Sequence, residues 1–180
     1  MIMEKNVRDC FVSALKEEKK GRKHKGLLKV KPSIKEAEGY ILKAKKNIEL
    51  FKFYKEKGFD YKLPEEWFYT LYYCALAILA KFGVESRSQR CTALFLRYMK
   101  DEGLIEYNNE FIHRIMVYKE REEISDVDER EKSRYSSSID IKEVEQNYEE
   151  MMDVCKRAIS QCEEIIFSDK EFKIPKGLVK

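Results

Sequence analysis

Helix breakers are scarce in this chain. Its 180 residues include 7 Gly and 3 Pro, which argues against a fold of many short strands and tight turns. The glycines never cluster, so neither a phosphate-cradling loop nor a dinucleotide fingerprint is present. Histidine is scarcer still. His24 and His113 are the only two and lie far apart, so no converging ligand set is spelled out, and neither a metal site nor a cofactor is expected. The longest mostly apolar stretch, Trp67 to Ala80, is too short to span a bilayer and is dense in tyrosine. The opening MIMEKNVRDC has no sustained apolar run of the kind a signal peptide carries. The cysteines, Cys10, Cys74, Cys91, Cys155 and Cys162, are odd in number and form no C-x-x-C pair. Together these absences point to a reducing cytoplasm and no membrane partner.

Charge is plentiful. Charged residues make up 38% of the chain beside 43% hydrophobic ones, as expected of helices with one solvated face. The length suits one domain. Net charge is +3 but unevenly spread: 18 Lys/Arg face 9 Asp/Glu up to Leu63, against 18 and 24 beyond it. A basic N-terminal third calls for an acidic partner, nucleic acid or protein. The richness in Lys, Glu and Ile points to a heat-adapted source.

Residues 4–18 can form an amphipathic helix through Val7, Phe11, Ala14 and Leu15. Lys19 to Lys31 follow with seven Lys/Arg and no acid, a mobile basic arm or loop. Ser33 and Glu36 then have the spacing of a capping box. The helix they open runs to about Lys57, with Ile34, Ala37, Ile41, Ala44, Ile48 and Phe51 on one face. Pro64 opens a third helix, apolar nearly all round, which Gly83 ends. A fourth spans roughly 87–101, capped by Ser86 or Ser88, with Cys91, Leu94, Phe95 and Tyr98 inward. A fifth starts near Asn108 and carries Phe111, Ile112, Ile115, Met116 and Tyr118. After a charged run and a Ser136–Ser138 loop, the last helix covers about 140–167 with Val144, Tyr148, Met151, Cys155, Ala158, Cys162 and Ile165 on one face. No strand signal of weight appears, and the tail after Ser168 reads as loosely attached. The expected fold is all-α, an antiparallel bundle of four to five helices with an N-terminal basic extension: arm 1–32, bundle 33–168, tail 169–180.

Cys155 and Cys162 share a helix face, but it is the core face, where free cysteine behaves as a small hydrophobe. Tyr69, Tyr72 and Tyr73 surround the third helix. Packing is the plainer role for such rings; a hydroxyl-lined groove or dimer face is the sharper one.

The stretch from Tyr72-Tyr73 through Ala75, Leu79-Ala80-Lys81 and Gly83, followed by Arg90-Cys91-Thr92-Ala93-Leu94, resembles the HEPN domain family of small helical proteins from archaea and bacteria. The resemblance covers about residues 33–168. It implies a helical bundle, a two-fold homodimer, and a minimal nucleotidyltransferase as partner in a toxin–antitoxin pair. Active members are metal-independent RNases with an Arg, four to six residues, then a His. Here neither His follows such an Arg, Gln89 stands where many relatives place a His, and the late-helix region reads Arg130-Glu131-Lys132-Ser133-Arg134-Tyr135. A tyrosine is a poor base at neutral pH. The resemblance therefore implies a catalytically silent module that binds RNA, a nucleotide or the nucleotidyltransferase. Its phosphate-binding candidates are Arg87, Gln89, Arg90 and Arg134; the charge of the arm, which precedes the matching region, adds Lys19, Lys20, Arg22, Lys23 and Lys25 as nucleic-acid-binding candidates. Two further readings stand beside it. One is a divergent RNase with Arg130 and Tyr135 as catalytic candidates. The other is a structural adaptor whose basic arm docks an acidic protein.

Overall fold

The computed structural model describes residues 2–116, 141–171 and 173–179. Six α-helices dominate them: α1 (Ile2–Lys19), α2 (Ile34–Glu56), α3 (Leu63–Phe82), α4 (Gln89–Asp101), α5 (Asn109–Ile115) and α6 (Ile141–Ile166). The expected helical bundle is therefore present. Residues 117–140, including Tyr118, Arg130, Arg134, Tyr135 and the Ser136–Ser138 loop, lie outside the described ones.

Helix ends follow the local chemistry. The Ser33 hydroxyl accepts a hydrogen bond from the Glu36 N–H at 3.1 Å and so caps α2. Ser88, not Ser86, caps α4 by accepting from the Cys91 N–H at 3.2 Å. Asn108 caps α5 through the Glu110 N–H. Gly83 ends α3 at φ 72°, a left-handed conformation that favours glycine.

Helix α3 is the central element. Trp67, Phe68, Leu71, Cys74, Ile78, Leu79 and Phe82 are all buried, and Trp67 meets the edge of Phe51 from α2 with ring centroids 6.4 Å apart. The single-face stripe of α2 is buried at Ala37, Ile41, Ala44 and Phe51, while Ile34 at its start is exposed. Helix α6 runs antiparallel to α2, as pairs from Lys45 to Glu163 and from Lys55 to Glu149 require. The expected α6 stripe is buried from Tyr148 to Ile165. Tyr69, Tyr72 and Tyr73 of α3 are half-buried; Tyr73 stacks on Tyr69 and on Tyr40 of α2 at 6.0 and 6.3 Å, while Tyr72 stacks on Phe68 at 5.6 Å. Burial, aided by the nearby Glu36 for Tyr40 and by Tyr69 and Glu66 for Tyr73, pushes both phenols up.

Two features of the chain path depart from the sequence reading, beside the disulfide and the anchored basic segment described below. The first is a short antiparallel ribbon, β1 (Leu27–Lys29) with β2 (Val84–Ser86), in register Leu27 to Ser86 and Lys29 to Val84. Three-residue strands are too short to leave a periodic signal. The second is the tail, which is docked. Leu178 is buried in the main core, and the Gly177 carbonyl accepts from Arg8 Nε at 3.1 Å. Helix α1 belongs to that same core through Val7, Phe11 and Ala14.

Cys10 of α1 and Cys91 of α4 form a disulfide, 81 residues apart in sequence. This corrects the thiols expected from an odd cysteine count without a C-x-x-C pair. Closing so long a loop restricts the unfolded chain and stabilises the fold by about 4 kcal/mol on chain-entropy grounds. Cys74, Cys155 and Cys162 are buried thiols outside the disulfide. The Cys162 thiol donates to the Cys74 carbonyl at 3.3 Å, and burial pushes its pKa well up. Beside them Tyr107 is fully enclosed, and among the described residues its hydroxyl has no hydrogen-bond partner. An unpaired buried hydroxyl carries a desolvation cost. Tyr107→Phe removes it without changing ring volume, so we expect a gain of about 1 kcal/mol in urea-unfolding free energy. A loss of similar size would mean that the hydroxyl is paired in solution.

Candidate nucleic-acid interface

The segment that follows α1 is anchored, not mobile. His24 is 1% exposed despite its charged neighbours. The Gly26 N–H donates to His24 Nδ1 at 3.4 Å, which leaves the ring proton on Nε2, and Nε2 donates to Glu85 Oε1 at 3.2 Å. The same oxygen accepts from Arg87 Nε at 2.7 Å. Burial raises the Glu85 pKa, but the hydrogen bonds from His24 and Arg87 outweigh it and hold the carboxyl below its usual range. Such a depressed carboxylate stabilises the fold above its unfolded pKa and loses that contribution as pH falls through the lower folded value.

Gly26 completes the anchor. A Cβ there would run into the Cys10 carbonyl oxygen and lie 3.2 Å from the Ala14 Cβ, so only glycine allows this approach. Its own carbonyl accepts from the Arg87 N–H at 3.1 Å. Leu27, next in the chain, is fully buried.

The consequence is positional. The ribbon register sets Leu27 opposite Ser86, so Lys25 and Gly26 lie beside Arg87 and the start of α4. Two basic segments some sixty residues apart in sequence meet at one end of the ribbon. Lys19, Lys20, Arg22, Lys23 and Lys25 are all exposed, as are Arg87 and Arg90. Lys20 and Arg22 each approach Glu17 only to 3.9 Å, and exposed pairs that long hold little energy. Among the described residues Lys19, Lys23 and Lys25 have no ion-pair partner.

The predicted phosphate-binding residues are placed unevenly. Arg87 is committed to Glu85. Gln89 donates from Nε2 to the Ile115 carbonyl at 3.4 Å, tying α4 to the end of α5. Arg90 lies on the exposed side of the first turn of α4. Under these residues a hydroxyl network sets the turn: the Ser88 N–H donates to Ser86 Oγ at 3.3 Å, and the Thr92 hydroxyl donates to the Ser88 carbonyl at 2.9 Å. Arg134, Arg130 and Tyr135 fall outside the described residues.

Sequence reading missed one contact. An Arg–His pair exists, but across two helices: Arg97 of α4 donates to His113 Nε2 of α5 at 3.0 Å. Arginine has no acceptor to offer, so His113 Nε2 must be the lone-pair side. Asp101 holds the same guanidinium at 3.0 and 3.1 Å. The lone pair that a general base would use is thus directed at Arg97, and the other ring nitrogen carries its proton. This arrangement suits a surface ion cluster better than proton abstraction. No sequence spacing could have flagged it, because Arg97 and His113 sit 16 residues apart on separate helices.

Two coarser findings bear on partners. No helix among the described residues is long and apolar enough to cross a membrane, and no group of three or more His, Cys, Asp or Glu among them is placed to hold a metal ion. No family model, curated protein or solved structure matches the chain.

Proposed function

We propose that this chain is a HEPN-like helical module that binds RNA without cleaving it, through the cationic face formed by Lys19, Lys20, Arg22, Lys23 and Lys25 with Arg87 and Arg90. The observation that carries the reading is the β1–β2 ribbon, which, with the Arg87 N–H bonded to the Gly26 carbonyl, brings the end of the basic segment at Lys25 and Gly26 to the start of α4. Pre-positioned cations lose less conformational entropy on meeting a phosphate backbone than a floppy arm would. The absence of a histidine lone pair free to take a 2′-hydroxyl proton, at His24 as at His113, favours binding over turnover. The same resemblance makes a two-fold homodimer, a minimal nucleotidyltransferase partner of toxin–antitoxin type and a cytoplasmic location part of the proposal. A heat-adapted archaeal source fits it too.

Incubating the protein with labelled single-stranded RNA in a chelator tests the reading. The expected result is retention of intact RNA. Cleavage that disappears in His113→Ala or Arg130→Ala would replace it with a divergent metal-independent RNase. Failure to retain RNA, with capture of an acidic protein instead, would favour the adaptor.

A further inference from the structure

The disulfide lies directly beneath the cationic face. Cys10 is in α1, the helix that leads into the basic segment, and its carbonyl oxygen is the atom against which Gly26 packs. Cys91 is in the first turn of α4, next to Arg90, and its N–H is the one that Ser88 caps. One bond therefore joins the two elements whose meeting creates the face. Without it, α1 and the basic segment are held to the rest of the fold by the burial of Val7, Ala14 and Leu27, by Phe11 against Phe95, by the three-residue ribbon with the Arg87 N–H on the Gly26 carbonyl, and by the His24–Glu85–Arg87 contacts.

We propose that the Cys10–Cys91 bond is a redox clasp on this face, closing it when oxidised and loosening it when reduced; the consequence for RNA rests on the binding reading above. The reductant required is a dithiol. Its thiolate attacks one of the two sulfurs to give a mixed disulfide, and its second thiol then displaces the protein sulfur. The dithiol loses two electrons and becomes a disulfide. Cys10 and Cys91 each gain one electron and one proton and end as thiols. The two cysteines are 4% and 6% exposed, so the reductant reaches them only when α1 lifts from α4 around Cys10, midway along the helix. Local opening and reduction are therefore coupled, and each favours the other.

The test uses the full chain, oxidised and after dithiothreitol treatment. Thiol titration of the denatured protein should rise from three to five, the three being Cys74, Cys155 and Cys162. On reduction, amide exchange across residues 19–29 and 84–91 should speed at least tenfold, while α3 keeps its protection. Single-stranded RNA affinity should fall at least fivefold. Cys10→Ser/Cys91→Ser should match the reduced protein and ignore the dithiol. Equal exchange in both states would overturn the clasp. So would loss of protection throughout α3, which would make the bond a staple of the whole fold. RNA retained in neither state, with exchange at 19–29 and 84–91 still faster on reduction, would sustain the clasp and remove the binding reading.

Discussion

Gly83→Ala should lower stability by about 3 kcal/mol, and Gly58→Ala by only about 1 kcal/mol. Both glycines sit at φ 72°, so both substitutions place an L side chain in the left-handed region, which costs about 1–2 kcal/mol. They differ in what surrounds the new methyl. At Gly58 nothing lies within 4 Å. At Gly83 the Cβ would stand 2.6 Å from the Val30 carbonyl oxygen and 2.9 Å from Pro32 Cδ. Neither is the end of a flexible side chain, so the backbone between β1 and α2 must move. That movement breaks the hydrogen bond from the Val30 N–H to the Gly83 carbonyl, 2.8 Å long, which closes the ribbon onto α3. In a chain of this size a loss of 3 kcal/mol lowers the melting temperature by roughly 6–12 °C. Paired urea titrations check the claim. Equal losses at the two positions would mean that conformation alone sets the cost and that the ribbon is not tightly seated.

Lys19→Ala/Lys23→Ala/Lys25→Ala should remove more than half of the salt dependence of RNA binding while leaving the fold intact. All three lysines are exposed and unpaired among the described residues, so no buried contact is lost and helix propensity changes little. If five cations of the face meet phosphates, affinity for a single strand should fall with a log–log salt slope of about −3.5. Removing three should leave a slope near −1.4. Deleting residues 1–31 would not be an equivalent experiment. It also removes Val7, Phe11, Ala14 and Leu27 from the core, along with one end of the disulfide.

Helix positions were legible because each depends on near neighbours. Ser33 with Glu36, Pro64, Gly83 and Asn108 all act within a turn of where they stand, and the α2 and α6 stripes repeat often enough to fix a face. The basic face was half legible. Its cations could be counted from composition, but their partnership with Arg87 and Arg90 depends on a ribbon of two three-residue strands. The anchoring of that segment was hidden for the same reason. His24 sits among lysines and reads as solvated, yet Glu85 and the Gly26 N–H, 61 and 2 residues away, bury it. The disulfide was hidden because five scattered cysteines permit many pairings, and only the packing of α1 on α4 selects one. The docked tail depends on a single leucine, too little for any periodic signal.

Measuring RNA affinity from 50 to 200 mM salt for the wild-type chain and the triple lysine variant tests the central claim most directly. The cationic-face account predicts a wild-type loss of about a hundredfold over that range and a variant loss of less than about tenfold. Parallel slopes for the two proteins, at any absolute affinity, would place RNA elsewhere on the molecule and contradict it.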